Sequence, residues 1–265
     1  MPELLEVEAY RRLAEKTALW RPVAAIEAPD SWYLKRGLKA GDLELLVGGQ
    51  FVAARRRGKL LLLDTELGDA KPRPVLGLHF GMTGRLVVDG KAGVGQLRYS
   101  SSQLLVKYER FGILFTDGGR LIVSDPRRLG GVELDPDERR LGHDAATITE
   151  AGLAKALHGS RAPLKARVMD QAHLAGLGNL LADEVLWRAG LSPAREAGRL
   201  SPAEIRRLHY HLRAALAKMA ERGGSHTGDL MPARALGGKC PRDGELLCQG
   251  RVGGRTTWWC PAHQR

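Results

Sequence analysis

The stretch FVAARRRGKLLLLDT, residues 51–65, decides the architecture of the N-terminal half of the chain. It holds two β-like runs on either side of Gly58, and a glycine between such runs is typical of a tight hairpin turn. Glycine- and aspartate-rich turns separate further β-like segments: PVAAIEA, VLGLHFG, GRLVVDG, LLVKYERFGILFTD and RLIVSD. This spacing predicts an antiparallel β-sandwich or barrel.

Helical patterns flank these β-like segments. One runs from Pro2 to about Ala18, and alanine, leucine and charged residues with helical spacing dominate from Thr149 onward. The clearest helix begins after Ser201, which forms a capping box with Glu204. We therefore predict an α+β multidomain fold, with an N-terminal antiparallel β-sandwich that carries an N-terminal helix, then a helical domain and a C-terminal hairpin. The expected domains are residues 1–135, 136–228 and 229–265.

The charge balance favours a polyanionic partner. The chain has 265 residues, and its 41 lysines and arginines against 30 aspartates and glutamates leave a formal net charge of +11. Nucleic acid is the first partner that such an excess indicates. The sequence has neither a signal-peptide pattern nor an apolar run long enough to cross a bilayer. We therefore expect a cytoplasmic protein with no membrane partner.

The N-terminal residues Pro2 and Glu3 allow two interpretations. If Met1 is removed, the ring nitrogen of Pro2 becomes a free secondary amine, which is a nucleophile near neutral pH. It could attack C1′ of a damaged nucleotide, expel the base and promote strand cleavage by elimination, with Glu3 placed to move protons. Alternatively, a proline and a glutamate are ordinary residues for the first turn of a helix.

Two other segments could bind phosphate groups. The hairpin tip carries a run of cations, Arg55, Arg56, Arg57 and Lys59, which form either a phosphate clamp or a solvated turn. The segment LAGLGNLLADEVLW begins with a glycine-rich turn in which Asn179 is a candidate N-cap. The amides of such a turn could bind a phosphate, and a plain junction between two helices is the alternative.

The C-terminal cysteines have the spacing of a zinc ribbon. Cys240 and Asp243 form one pair, Cys260 and His263 form another, and sixteen residues separate the pairs. Two such pairs joined by a hairpin are typical of zinc sites when all four ligands are cysteine or histidine. Asp243 departs from that rule, so Cys248 as the fourth ligand and a metal-free hairpin are both alternatives. We expect one zinc ion per chain.

Taken in order along the whole chain, these motifs resemble the formamidopyrimidine-DNA glycosylase / endonuclease VIII family of base-excision repair enzymes. PELLEVE is similar to the N-terminus of the family, although Leu5 stands where proline is usual. RRRGK resembles its lysine-bearing hairpin, and HFGMTGRL and SDPRRLGG resemble its base-replacing segments. PLKARVMDQAHLAGLGNLLADEVLW is similar to the helix–two-turn–helix motif, and the C-terminal hairpin resembles the family's zinc finger.

The resemblance implies a role for each matching residue. The implied catalytic residues are Pro2 as nucleophile, Glu3 as acid and base, Lys59, and Glu184 as a carboxylate near the nucleophile. Met82 would fill the gap left by the flipped base, Arg128 would face the orphaned base, and Leu129 replaces the usual wedge aromatic. The other implied DNA-binding residues are Arg57, His79, Lys165, Asn179 and Arg255. The implied zinc ligands are Cys240, Asp243, Cys260 and His263.

The expected function is therefore that of a bifunctional DNA glycosylase and abasic-site lyase, which acts as a monomer on damaged double-stranded DNA in the bacterial cytoplasm or nucleoid. Its reaction would pass through a Schiff base at Pro2 and end in β- or β,δ-elimination. The loop SHTGDLMPARALGGK, residues 225–239, is short for a lid over 8-oxoguanine, so the lesion preference is open. A non-catalytic binder of damaged DNA and a zinc-ribbon module unrelated to repair are the alternatives.

Overall fold

The computed structural model describes residues 2–67, 74–95, 97 and 105–265. The chain forms two compact units. The first contains Pro2 and Glu6–Glu138, and the second contains Glu3–Leu5 and Arg139–Arg265. The C-terminal hairpin therefore belongs to the same unit as the helices, and three N-terminal residues belong to it as well. No helix within the described residues is both long and apolar enough to cross a membrane.

The first unit is built on two antiparallel β-sheets, which confirms the predicted sandwich. Its strands are β1 (Val23–Glu27), β2 (Gln50–Arg57), β3 (Leu60–Glu66), β4 (Leu76–His79), β5 (Arg85–Val88), β6 (Lys91–Ala92), β7 (Glu109–Phe115), β8 (Arg120–Ser124) and β9 (Gly131–Leu134). One sheet has the order β1-β7-β8-β5-β6 and the other has the order β2-β3-β4-β9. The sequence patterns missed β6 and β9 because each is short and has no run of β-forming residues.

The hairpin of β2 and β3 forms where the sequence predicts it. Arg57 pairs with Leu60, so Gly58 and Lys59 make a two-residue turn. Gly58 has a φ of 58°, which is the backbone conformation that two-residue hairpin turns need and that glycine adopts without strain. Helix α1 (Leu4–Thr17) buries Val7 and Tyr10 in the core of this unit.

The second unit contains four helices and the C-terminal hairpin. The helices are α2 (Glu150–Leu157), α3 (Leu164–Val168), α4 (Asn179–Ala189) and α5 (Pro202–Glu221). The strands are the short parallel pair β10 (His143–Asp144) and β11 (Leu174–Ala175) and the antiparallel pair β12 (Cys248–Val252) and β13 (Arg255–Trp259). The predicted capping box of α5 is present, because Ser201 Oγ accepts from the Glu204 amide and the Glu204 carboxylate accepts from the Ser201 amide.

Candidate functional site

The Glu3 carboxylate caps the N-terminus of α4. Its Oε2 accepts hydrogen bonds from the amides of Gly178 (2.8 Å) and Leu181 (3.1 Å), and its Oε1 accepts one from Leu180 (2.9 Å). The side chain is fully buried. These amides have no partner within the helix, and three donors at the positive end of a helix stabilise an ionised carboxylate. Glu3 is therefore held rigidly in a setting that favours its negative charge.

This contact corrects two predictions about the glycine-rich turn. Gly178 is the N-cap and Asn179 is the first helical residue, so Asn179 does not cap the helix with its side chain. The turn amides are not open to phosphate either, since Glu3 occupies three of them. A Cβ atom on Gly178 would overlap the Glu3 carboxyl group, which explains the need for glycine there.

Asn179 nevertheless retains an unused polar group. Its side-chain oxygen is buried and has no hydrogen-bond partner among the described residues. A buried oxygen without a partner is costly, and a ligand that donates a hydrogen bond would relieve that cost.

Pro2, the predicted nucleophile, is buried and lies two residues before the start of α1.

Lys59 and His79 lie close together at one end of a β-sheet. Leu60, which follows the turn, pairs with His79 at the end of β4. His79 Nδ1 accepts a hydrogen bond from the Gly81 amide at 3.3 Å, so in the neutral ring the proton is on Nε2. Burial of the ring lowers the pKa of His79, and the positive charge of Lys59 lowers it further. Part of the residue is nevertheless exposed to solvent. The ring is thus a neutral donor at pH 7.

The phosphate clamp predicted at this turn is wrong for two of its four cations. Arg55 Nε lies 2.7 Å from Asp64 Oδ2, and the hydrogen bonds of that pair raise the pKa of the guanidinium. Arg56 is almost buried and lies 3.2 Å from Glu8. Both arginines therefore neutralise carboxylates of their own unit. Arg57 and Lys59 are half-buried, and their contact with DNA stays a prediction.

The loop after β8 carries Arg127 and Arg128, whose side chains have different surroundings. Arg128 has a φ of 56° and forms two hydrogen bonds of 2.6 Å to the Asp30 carboxylate, which raise the pKa of its guanidinium. Arg127 is exposed, and its side chain has no partner within the described part of the chain. The structure therefore favours Arg127, which sequence reasoning missed, as the arginine free to face a base. The predicted wedge Leu129 is 47% exposed, and Met82 is half-buried.

Lys165 is not placed to bind a phosphate group. Its side chain is fully buried, and Nζ lies 2.7 Å from Asp183 Oδ1, 2.8 Å from Thr257 Oγ1 and 3.0 Å from the Thr256 carbonyl oxygen. Burial lowers the pKa of Lys165, and the charge of Asp183 opposes that shift. The predicted phosphate contact is wrong because protein atoms surround the ammonium group.

The contacts of Glu184 are also structural. Its carboxylate accepts hydrogen bonds from the amides of Asp229 (3.0 Å) and Leu230 (2.9 Å) and from Arg188 Nε (2.6 Å). The side chain is buried. These bonds hold the backbone of Asp229 and Leu230 in the loop after α5, and they argue against the catalytic role predicted for this carboxylate.

The four predicted zinc ligands come together in the C-terminal module. The candidate ligand atoms of Cys240, Asp243, Cys260 and His263 all lie within 4.8 Å of one another. Zn–S and Zn–N bonds of about 2.3 and 2.0 Å place tetrahedral ligands about 3.3 to 3.8 Å apart. The observed cluster is near that size, so the residues fit a metal ion. Cys248 does not belong to the cluster, which removes it as the alternative to Asp243.

Neighbouring groups orient these ligands. Trp187 Nε1 donates to Cys240 Sγ at 3.3 Å, and the Trp187 carbonyl oxygen lies 3.2 Å from His263 Nε2, which directs Nδ1 towards the cluster. Burial raises the pKa of Asp243, but hydrogen bonds from His263 and the Glu245 amide outweigh it and leave the pKa well below its usual range. Burial raises the pKa of the Cys260 thiol to about 11.

The hairpin that completes this module presents Arg255 at its tip. Gly253 and Gly254 form the turn with φ angles of 58° and 74°. Arg255 follows them as the first residue of β13, and it is exposed. Its guanidinium has no partner within the described part of the chain, so it is available to an anionic ligand.

Comparisons with known proteins agree with this architecture. Residues 1–132 match the family model "Formamidopyrimidine-DNA glycosylase N-terminal domain", and residues 141–230 match the H2TH domain of the same glycosylase. The chain is 34% identical over 296 residues to the formamidopyrimidine-DNA glycosylase of Paracoccus denitrificans and 32% identical over 288 residues to that of Alkalilimnicola ehrlichii. Each alignment covers 100% of both proteins.

Solved structures give the same result. A complex of the Lactococcus lactis Fpg protein with abasic-site DNA is 27% identical and superposes with a TM-score of 0.81, with 100% of both chains covered. A complex of the L. lactis protein with DNA that contains Fapy-dG is 28% identical, with a TM-score of 0.81 and coverage of 99% of this chain and 100% of the other.

Proposed function

This chain belongs to the formamidopyrimidine-DNA glycosylase family, and we propose that it excises oxidised bases from double-stranded DNA and then cleaves the strand at the abasic site. The observation that carries the proposal is the Glu3 carboxylate, which is held by three amides of α4 directly after Pro2. A fixed carboxylate beside a nucleophilic amine is the arrangement that proton transfer during imine formation requires.

The reaction begins once Met1 has been removed. The Pro2 nitrogen bonds to C1′ of the damaged nucleotide as the bond from C1′ to the base breaks, and water protonates the departing base. Glu3 accepts the proton that the Pro2 nitrogen releases and passes it to O4′ as the bond from C1′ to O4′ breaks. The resulting iminium acidifies C2′, and loss of that proton expels the 3′ phosphate by β-elimination.

Groups at two hairpins supply the DNA contacts. Lys59 and the neutral Nε2–H donor of His79 bind phosphate oxygens at the end of the β2–β3 hairpin, and Arg255 binds another phosphate from the C-terminal hairpin. Arg127, Met82 and Leu129 lie on exposed or half-buried turns, as residues that replace a flipped base must. The net charge of +11 supports a polyanionic partner.

The proposed substrates are ring-opened purines and other oxidised bases. The solved relatives from L. lactis include complexes with DNA that contains Fapy-dG, an abasic site or an oxidised pyrimidine. A damaged base stacks and pairs weakly, which lowers the cost of flipping it out of the duplex.

The test uses duplex oligonucleotides that carry one lesion each, with borohydride present to reduce an imine. We expect release of the damaged base, cleavage of the lesion strand and a covalent adduct of protein and DNA. An undamaged duplex of the same sequence is the control and gives none of these. Tight binding to an abasic duplex without cleavage or adduct would contradict the proposed reaction and support a non-catalytic binder of damaged DNA.

We further propose that the cluster of Cys240, Asp243, Cys260 and His263 binds one zinc ion with a structural role. We expect elemental analysis of the purified protein to find one zinc per chain. Cys260→Ser loses it on dialysis against a chelator, because a buried ligand of the cluster is removed. Cys248→Ser is the matched control and keeps its zinc, since Cys248 lies outside the cluster. Equal zinc contents of the two variants would contradict this site.

A further inference from the structure

A buried charge cluster, which we call the hairpin anchor, lies in the second unit and consists of Lys165, Asp183, Arg234 and Thr257. The Asp183 carboxylate is 0% exposed and lies 2.7 Å from Lys165 Nζ and 2.8 Å from an Arg234 nitrogen. Two cations thus share one buried carboxylate. Such a group is costly to bury, so its fixed geometry calls for an explanation beyond stability.

The hairpin anchor leads directly to Arg255. Lys165 Nζ donates to Thr257 Oγ1 at 2.8 Å, and the same hydroxyl donates to the Arg255 carbonyl oxygen at 2.9 Å. Lys165 also donates to the Thr256 carbonyl oxygen at 3.0 Å. The ammonium group on α3 therefore bonds to the two residues that follow Arg255. Of these, Thr257 also bonds to the Arg255 carbonyl oxygen.

Two further contacts fix the same hairpin. Asp183 Oδ2 lies 3.4 Å from the Trp258 amide of β13. At the turn, a Cβ atom on Gly253 would lie 2.7 Å from the Ala166 Cβ, so the hairpin turn packs tightly against α3. The hairpin is thus held at its turn by close packing and along β13 by buried hydrogen bonds.

We propose that the hairpin anchor is a positioning device that holds the backbone of β13 so that the Arg255 guanidinium meets a DNA phosphate. This inference rests on the proposed function. Arg255 follows two glycines in the turn, which have no side chains of their own to hold the start of β13. The bonds from Lys165 and Thr257 supply that support from the other side. Because Asp183 is on α4, whose first amides bind Glu3, one helix orients both the phosphate contact and the acid–base carboxylate.

The experiment measures how the dissociation constant for a duplex with a tetrahydrofuran abasic analogue depends on salt. Each phosphate contact contributes about 0.9 to the slope of log K against log salt concentration. We expect Arg255→Ala to reduce the slope by about 0.9. The triple variant Lys165→Met, Asp183→Leu, Arg234→Met, which keeps the volume of the cluster but removes its bonds, reduces the slope similarly. Combining it with Arg255→Ala reduces the slope no further.

Two further variants separate positioning from general effects. Thr257→Val removes only the hydroxyl that joins Lys165 to Arg255, and we expect it to reduce the slope. This variant tests the positioning role independently if the triple variant fails to fold. Arg199→Met removes one positive charge from an exposed site with 77% of its side chain accessible, and we expect it to leave the slope unchanged. If Arg255→Ala has no effect, the proposed phosphate contact is wrong. If Arg255→Ala acts but folded Thr257→Val and triple variants retain the wild-type slope, the positioning role is overturned.

Discussion

Insertion of a lysine between Met1 and Pro2 abolishes the borohydride-trapped adduct and strand cleavage. In this variant, Met1 is retained and the Pro2 nitrogen is part of a peptide bond. Its lone pair is then delocalised into the preceding carbonyl group and cannot attack C1′. We expect the rate of cleavage of an abasic strand to fall by about 10⁴-fold or more, as it does when a covalent nucleophile is removed from other enzymes. Intact mass of each protein identifies its first residue.

Pro2→Gly is the companion variant, because it leaves a free primary amine in place of the secondary one. A primary amine still forms an imine with an abasic aldehyde, so we expect weak trapping that disappears when the glycine amine is acetylated. Binding to the abasic analogue serves as the control and stays within a few-fold of wild type in every variant. Undiminished cleavage by the lysine-insertion variant would show that another amine forms the adduct.

The sequence predicted those features that depend on neighbouring residues. The β2–β3 turn at Gly58 and the capping box of Ser201 and Glu204 are encoded within a few positions, and both are present. The metal-ligand cluster was predictable as well, because a hairpin brings two ligand pairs together wherever it forms. In each case the relevant partner lies nearby along the chain or across one turn.

Most of the errors have a different cause, which is pairing between residues far apart in the sequence. The pair of Arg55 and Asp64, nine positions apart across one turn, is an exception. Asp30 binds Arg128, 98 positions away, and Glu3 binds amides 175 to 178 positions away. Lys165 is buried because Thr257, 92 positions on, accepts its hydrogen bond. No periodicity or local motif records such partners. A charged residue therefore looks available in the sequence even where the fold neutralises it.

The long-range contact of Glu3 leads to the second large effect, which is that of Glu3→Gln. Glutamine cannot accept and release the proton of the Pro2 nitrogen, so we expect the rate of base excision to fall by about 10²- to 10⁴-fold. It also loses stability. Both Glu3 oxygens accept from amides of α4, and in glutamine one of them becomes an NH₂ group that faces an N–H donor. We expect a decrease of about 1 to 3 kcal/mol in the free energy of unfolding.

Glu204→Gln separates these two effects, because the Glu204 carboxylate also accepts from a backbone amide at a helix N-terminus, that of α5, but has no proposed role in the reaction. Its carboxylate accepts from the Ser201 amide at 2.8 Å and pairs with Arg195, which lowers its pKa to about 2. We expect this variant to lose about 1 kcal/mol of stability and to keep wild-type excision. Denaturant unfolding and single-turnover excision are measured on both proteins. If Glu3→Gln loses stability like Glu204→Gln but excises the base at the wild-type rate, Glu3 is a helix cap alone, and the proton that leaves Pro2 must pass to another group.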